Sequence, residues 1–137
     1  MPGRITVSTE HREHIMVIAM TGEIVEEDIV YAIRTNYPKA RNLDVIWDMS
    51  GASVSGIETE GFHRIARLAR RITGRRSGRR TVHVGSGFAP ALYRMYGAIA
   101  HSAGLGAEYR VFETVEDARG WLLSERAAGH RPRAATG

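Results

Sequence analysis

Apolar and polar residues alternate over Ile5-Thr6-Val7-Ser8, the period of a half-buried strand, and the polar run Glu10-His11-Arg12-Glu13 then turns the chain. From His14 to Met20 both sets of alternate positions are apolar: Ile15, Val17 and Ala19 on one face, Met16, Ile18 and Met20 on the other. That pattern predicts a second strand well inside a sheet, and the short link predicts an antiparallel hairpin. Thr21-Gly22-Glu23 breaks the alternation. Ile29, Val30 and Ile33 then recur at helical spacing behind Glu26, Glu27 and Asp28, acids suited to the positive end of a helix, and Pro38 sets its stop. A compact apolar run from Leu43 to Trp47 reads as the third strand. A second helix is predicted from about Glu60 to Ile72, with Phe62, Ile65, Ala66, Ala69 and Ile72 as its apolar stripe and Arg64, Arg67 and Arg71 on the opposite side. Thr81 to Val84 is a fourth strand. Gly85-Ser86-Gly87 leads into a third helix with Pro90 in its first turn and Leu92, Met95, Tyr96 and Ile99 on its core face. Tyr109 to Phe112 is a fifth strand. Thr114, with Asp117 three residues on, caps a fourth helix that is expected to bury Val115, Ala118, Trp121 and Leu122.

The predicted order is β-β-α-β-α-β-α-β-α. Alternation after the hairpin implies right-handed crossovers and hence an α/β domain on a mixed, mostly parallel five-stranded sheet. The domain is expected over residues 4–126, and 127–137, which lacks any period, as a disordered tail. Its centre is the stretch Leu43 to Gly61, where a buried strand gives way to a hydroxyl-rich loop and then to the start of a helix.

Composition narrows the chemistry. The chain has 137 residues and no cysteine, which excludes disulfides and thiolate metal sites. Its histidines, His11, His14, His63, His83, His101 and His130, lack the i, i+4 pairing of a helical zinc site, so no metal and no cofactor are expected. No apolar run approaches the ~18 residues of a membrane span, and the N-terminus lacks a signal-peptide pattern; a cytoplasmic location is expected. The net charge of +4 comes almost wholly from arginine, Lys39 being the single lysine. No Asp or Glu occurs from Gly61 to Ala107, and arginines concentrate between Arg64 and Arg80.

Three segments together resemble a family. Val45-Ile46-Trp47-Asp48-Met49-Ser50-Gly51 is similar to the strand-three D-L-S-G signature of the STAS-like, SpoIIAA-like group, related in fold to anti-sigma-factor antagonists and Sec14-type lipid-binding domains. Leu92-Tyr93-Arg94-Met95-Tyr96 resembles its helix-three segment, and Val111-Phe112, Glu116 to Ala118 and Trp121-Leu122 resemble its closing pattern. The resemblance implies helices mainly on one side of the sheet and a non-enzymatic binding or regulatory module. One departure matters. The antagonists carry a phosphorylated hydroxyl in a D-S-S-G motif, and the corresponding positions here are Gly56-Ile57-Glu58-Thr59, which lack the Asp and the first Ser. Control by phosphorylation at Ser55 or Thr59 is therefore not expected.

The candidate binding residues are Asp48, Ser50, Ser53, Ser55 and Thr59 in the loop expected after strand three, with Ser86, Tyr93 and Arg94 beside it. Hydroxyls at a helix start can hold an anion or a small polar ligand; they also serve as turn and cap residues. Gly85-Ser86-Gly87 is no complete dinucleotide fingerprint, since Pro90 stands where the last glycine belongs, and Val84 to Phe88 does not satisfy Gly-x-Ser-x-Gly. No catalytic constellation emerges. The expected partner is another protein or a small molecule, with homodimerisation compatible with the fold. Two alternatives stand beside this reading. One is a carrier of an apolar or lipid-like ligand. The other is a non-specific nucleic-acid binder using the arginines of the second helix and the loop after it, whose simpler explanation is a solvated face balanced by the acids of the first helix or by a partner subunit.

Overall fold

The computed structural model describes residues 3–73, 80–85 and 110–128. Strand β1 (Arg4–Glu10) and strand β2 (Ile15–Glu23) form the expected antiparallel hairpin, with Glu10 opposite Ile15 and Arg4 opposite Thr21. Its turn closes through the Glu13 amide on the Glu10 carbonyl (3.2 Å) and the His14 amide on the His11 carbonyl (3.3 Å). His14 takes the left-handed conformation there, at φ 57°.

Helix α1 (Glu26–Asn36) follows, then a 3₁₀ turn (Tyr37–Lys39) that contains Pro38. The Asp28 carboxylate accepts from the Val25 amide (2.9 Å), so an acid of the first turn satisfies a donor at the helix start. Strand β3 (Asp44–Ser53), helix α2 (Thr59–Thr73), strands β4 (Thr81–Val84) and β5 (Val111–Phe112) and helix α3 (Val115–Ala127) complete the described elements. The helix expected after Pro90 lies outside the described residues, as do the tail and most of the Gly/Arg loop.

The sheet order is β1-β2-β3-β4-β5, with every pair after the hairpin parallel. Because the strands are laid down in sequence, right-handed crossovers place α1 and α2 on the same face. Met16, Ile18 and Met20 of β2 and Val45, Trp47 and Met49 of β3 meet Ile29, Ile33, Phe62, Ile65 and Ala66 there. The Trp47 indole donates to the Tyr37 hydroxyl (3.0 Å), which satisfies its one polar atom inside the core. Ile15, Ile46, Val82 and Val84 line the other face, and α3 covers them with Ala118 and Leu122. Two of the three described helices thus share one side of the sheet.

Two strands are longer than the alternation predicts. Strand β2 runs on through Thr21, Gly22 and Glu23, because Gly22 takes φ 82° without the penalty a side chain would bring and keeps its register opposite Ala52. Strand β3 continues well past Trp47, so Asp48, Ser50 and Ser53 lie on a strand and not in the expected loop.

The capping of α3 is as expected: the Thr114 hydroxyl accepts from the Asp117 amide (3.0 Å). Its burial differs. Ala118 and Leu122 are fully buried, whereas Val115 and Trp121 are only partly so. Trp121 tilts against Phe112 (5.8 Å between ring centroids) and lies beneath the guanidinium groups of Arg80 (5.1 Å) and Arg110 (4.7 Å). Trp121→Ala is therefore expected to cost about 2 kcal/mol in urea unfolding, below the ~3–5 kcal/mol of a wholly buried tryptophan, because part of the ring is shielded by charged side chains and not by core. A cost of the full core size would show that the guanidinium cover excludes water as completely as packed hydrocarbon does.

Candidate functional site

The pairing of β2 with β3 contains an irregularity. Ala19 faces Asp48 but Thr21 faces Gly51, so Met49 and Ser50 together oppose Met20. This β-bulge changes the phase of the strand: Met49 points into the helix-covered core, and beyond the bulge it is Ala52 that packs there, with Ser53 turned the other way. A bulged residue loses its regular ladder partners. Here the Ser50 amide (3.1 Å) and hydroxyl (2.6 Å) both donate to Asp48 Oδ1. Asp48 thus acts on the strand itself, holding the bulge, as an Asx-type contact does in a turn.

From the last residue of β3 the chain makes a ridge, Ser53 to Thr59. The Ser53 and Ser55 hydroxyls are 3.1 Å apart, and the Ser55 amide approaches Ser53 Oγ at 3.5 Å. Val54 and Ile57 are buried between these polar residues, and the Ile57 amide closes a turn on the Val54 carbonyl (3.0 Å). The two apolar side chains therefore anchor the ridge in the core while Ser55, Gly56, Glu58 and Thr59 face solvent. Glu58 precedes α2, and its carbonyl receives the Phe62 amide (3.2 Å).

These residues do not form one cluster. Asp48 pairs with Ser50 and Ser53 pairs with Ser55; at about 3.3 Å per strand residue, Asp48 and Ser53 are roughly 15 Å apart. Thr59 is the exposed first residue of α2. Ser86, Tyr93 and Arg94 lie outside the described residues, and with them the helix on which the apolar-carrier reading rests. The sheet order is sequential, so among the described strands the order does not reverse as it does at the ligand crevice of doubly wound sheets. Among the described residues no group of three His, Asp or Glu side chains is placed to hold a metal ion, and no helix is long and apolar enough to cross a membrane.

A second surface was only half legible. Glu26, Val30 and Arg34 recur every four residues along α1, and Arg64, Arg67, Leu68 and Arg71 form the corresponding row of α2. The rows line a groove of about 280 Å³ between the helices. At its head, Arg64 donates through Nε to Glu26 Oε2 and through Nη2 to Glu26 Oε1, both at 2.7 Å. An acid of the first helix thus balances one arginine of the second, as the charge pattern suggests. The fork holds the Glu26 carboxyl below its ordinary pKa and the guanidinium above its own. Gly61 permits this approach: a Cβ there would meet Ile57 Cγ2 at 3.0 Å and Glu26 Oε1 at 3.1 Å. Arg34, on the α1 side of the groove, is the member that the Arg-rich reading of α2 alone could not supply.

No protein-family model matches the chain, and no curated protein matches it. Among solved structures, the chain is similar to an uncharacterised protein of the DUF3478 family with a SpoIIAA-like fold from Shewanella loihica PV-4. The TM-score is 0.59 at 13% identity, and the match covers 88% of this chain and 93% of that one. The protein has a SpoIIAA-like fold, the one that the strand-three and C-terminal signatures imply.

Proposed function

We propose that the protein is a non-enzymatic binding or regulatory module, cytoplasmic, that recognises a protein partner through the ridge Ser53–Thr59. The observation that carries this reading is the alternation of anchor and exposure on the ridge. Val54 and Ile57, 4% and 8% exposed, fix it from below, and the Ser53–Ser55 pair, Gly56 and Thr59 are presented outward. A pre-fixed segment loses little conformational freedom on binding, so its hydrogen bonds count more fully toward affinity. None of these side chains lines the groove between α1 and α2. A small ligand is normally held in a concavity, and this favours a macromolecular partner that lays its own surface over the ridge. Gly56 has open space around its Cα, which leaves room for such an approach.

A photo-crosslinking residue at position 55, introduced in the native cell, tests the reading. A discrete adduct is expected, either a second copy of the chain or another protein, that a control crosslinker at exposed Tyr31 does not give and that Ser53→Arg suppresses. The same adduct pattern from positions 55 and 31 refutes recognition by the ridge. Mass spectrometry of the same samples reads the modification state: stoichiometric phosphate at Ser55 or Thr59 contradicts the reading that the lost D-S-S-G motif leaves no phosphorylation switch.

A further inference from the structure

We propose that the groove between α1 and α2 is a binding site for a compact phosphate-bearing ligand. The proposal is independent of the ridge. Four guanidinium groups, Arg34, Arg64, Arg67 and Arg71, line the groove against a single carboxylate, Glu26, which leaves three positive charges uncompensated within it. Among the described residues Glu26 is the carboxylate that pairs with Arg64, and Arg34, Arg67 and Arg71 have no salt-bridge partner. Glu58 and Glu60 act on Arg64 from the start of α2 and do not line the groove.

Helix polarity explains only part of this arrangement. Arg34 and Arg71 lie in the last turns of parallel helices, where a cation is favoured by the negative helix end. Arg67 lies further back on the row facing α1, where that effect has faded, and the groove gathers it with Arg71 and Arg34, which adds like-charge repulsion. An anion between the rows removes it. Arg64 is held in position for this role: Glu26 occupies Nε and Nη2, and Nη1 remains for a ligand.

Arginine forks match tetrahedral phosphate oxygens, and a phosphate near −2 fits three uncompensated cations better than a lone carboxylate does. The volume, about 280 Å³, lies at the lower edge of the ~300–1,000 Å³ range of small-molecule sites, which indicates a compact molecule. Leu68, buried, and Val30, half-buried, give the groove an aliphatic floor that accepts a short apolar substituent on the phosphate.

Isothermal titration of the full chain with pyrophosphate at constant ionic strength tests the site. Saturable one-to-one binding is expected. It should weaken roughly tenfold or more in each of Arg34→Gln, Arg67→Gln and Arg71→Gln, and stay within about twofold in Arg70→Gln, which removes a charge from the same helix outside the groove. All four side chains are exposed, so the variants should melt close to the parent, and thermal scans verify this. Absence of binding, or an equal loss in Arg70→Gln, overturns the proposal. A second arm distinguishes the source of the phosphate. Sedimentation with vesicles of phosphatidylcholine and phosphatidic acid, lost in the same three variants and competed by pyrophosphate, identifies a lipid headgroup; pyrophosphate binding without vesicle binding identifies a soluble ester. A single-stranded oligonucleotide that binds more tightly than pyrophosphate and is not displaced by it refutes a compact ligand.

Discussion

Replacing Asp44 by alanine is expected to destabilise the protein by about 3–5 kcal/mol, the range for breaking one side of a buried ion pair. Asp44 opens β3 and its side chain is 3% exposed. One carboxylate oxygen accepts from Arg126 Nη2 (2.6 Å), the other from the Arg80 amide at the start of β4 (2.8 Å). Arg126 spreads its remaining donors over the hairpin turn: Nη1 reaches the Glu13 carbonyl, and Nη2 also reaches that of His14 (3.1 Å). Arg126 Nε is buried without a partner. Asp44 is the deeper partner, and although Arg126 is 27% exposed, the buried side of its guanidinium depends on the carboxylate beside it. Asp44→Ala thus loosens three things at once: the turn between β1 and β2, the entry into β4, and the end of α3. Equilibrium urea unfolding measures the cost. A loss under about 1 kcal/mol would mean that Arg126 is held by the two carbonyls alone and that the ion pair contributes no more than a surface one. The neighbouring Arg119–Glu13 contact (2.5 Å), with Arg119 half exposed, is expected to matter far less.

This contact also marks where reading the sequence stops. Asp44 and Arg126 are 82 residues apart, and no local spacing connects them. The acid looks like one more polar residue at a strand entry, and the arginine like a basic residue near a helix end. Periodicity, by contrast, is local, and the described elements that rest on it begin close to where it places them. Strand β4 is found at Thr81–Val84 as expected, and of the α2 stripe Phe62, Ile65, Ala66 and Ala69 are buried and Ile72 partly so. The errors in strand length have one physical origin. Gly22 and the Ser50-Gly51 pair are turn-forming residues, and their conformational freedom predicts a break in β2 and an end to β3. In the structure that freedom serves a left-handed residue and a bulge inside continuing strands. The strand in turn splits the candidate site, since the bulge pairs Asp48 with Ser50 while Ser53, at the strand's end, pairs with Ser55 on the ridge. The groove was legible on one side only. Helical spacing gathers Arg64, Arg67 and Arg71, but which row of α1 faces them follows from the shared crossover direction, and the acid-free run after Gly61 carries no trace of Arg34.

Stability is expected to fall as the pH drops from about 6.5 toward about 4, by a total near 3 kcal/mol, because of His83. His83 sits in β4 between Trp47 of β3 and Val111 of β5, and only 8% of it is exposed. Burial disfavours the imidazolium and lowers its pKa from 6.5 to about 4. The sign follows from proton uptake. Between those two values the unfolded chain takes a proton on this histidine and the folded chain does not, so acid favours unfolding. Above about 6.5 both states are neutral and nothing is lost; below about 4 both are charged and the loss is complete. Glu26 and Glu13, lowered chiefly by hydrogen bonds from Arg64 and Arg119, act in the same direction, but their contribution fades only below the ordinary carboxylate range. Unfolding free energies at pH 7, 6 and 5, compared between the parent and His83→Gln, therefore isolate this histidine. The parent should lose about 1 kcal/mol more than His83→Gln between pH 6 and 5, since the unfolded state there binds most of one extra proton. Equal slopes in the two proteins would show that His83 takes up its proton without leaving the fold, and that the interior of β4 is open enough to solvate an imidazolium.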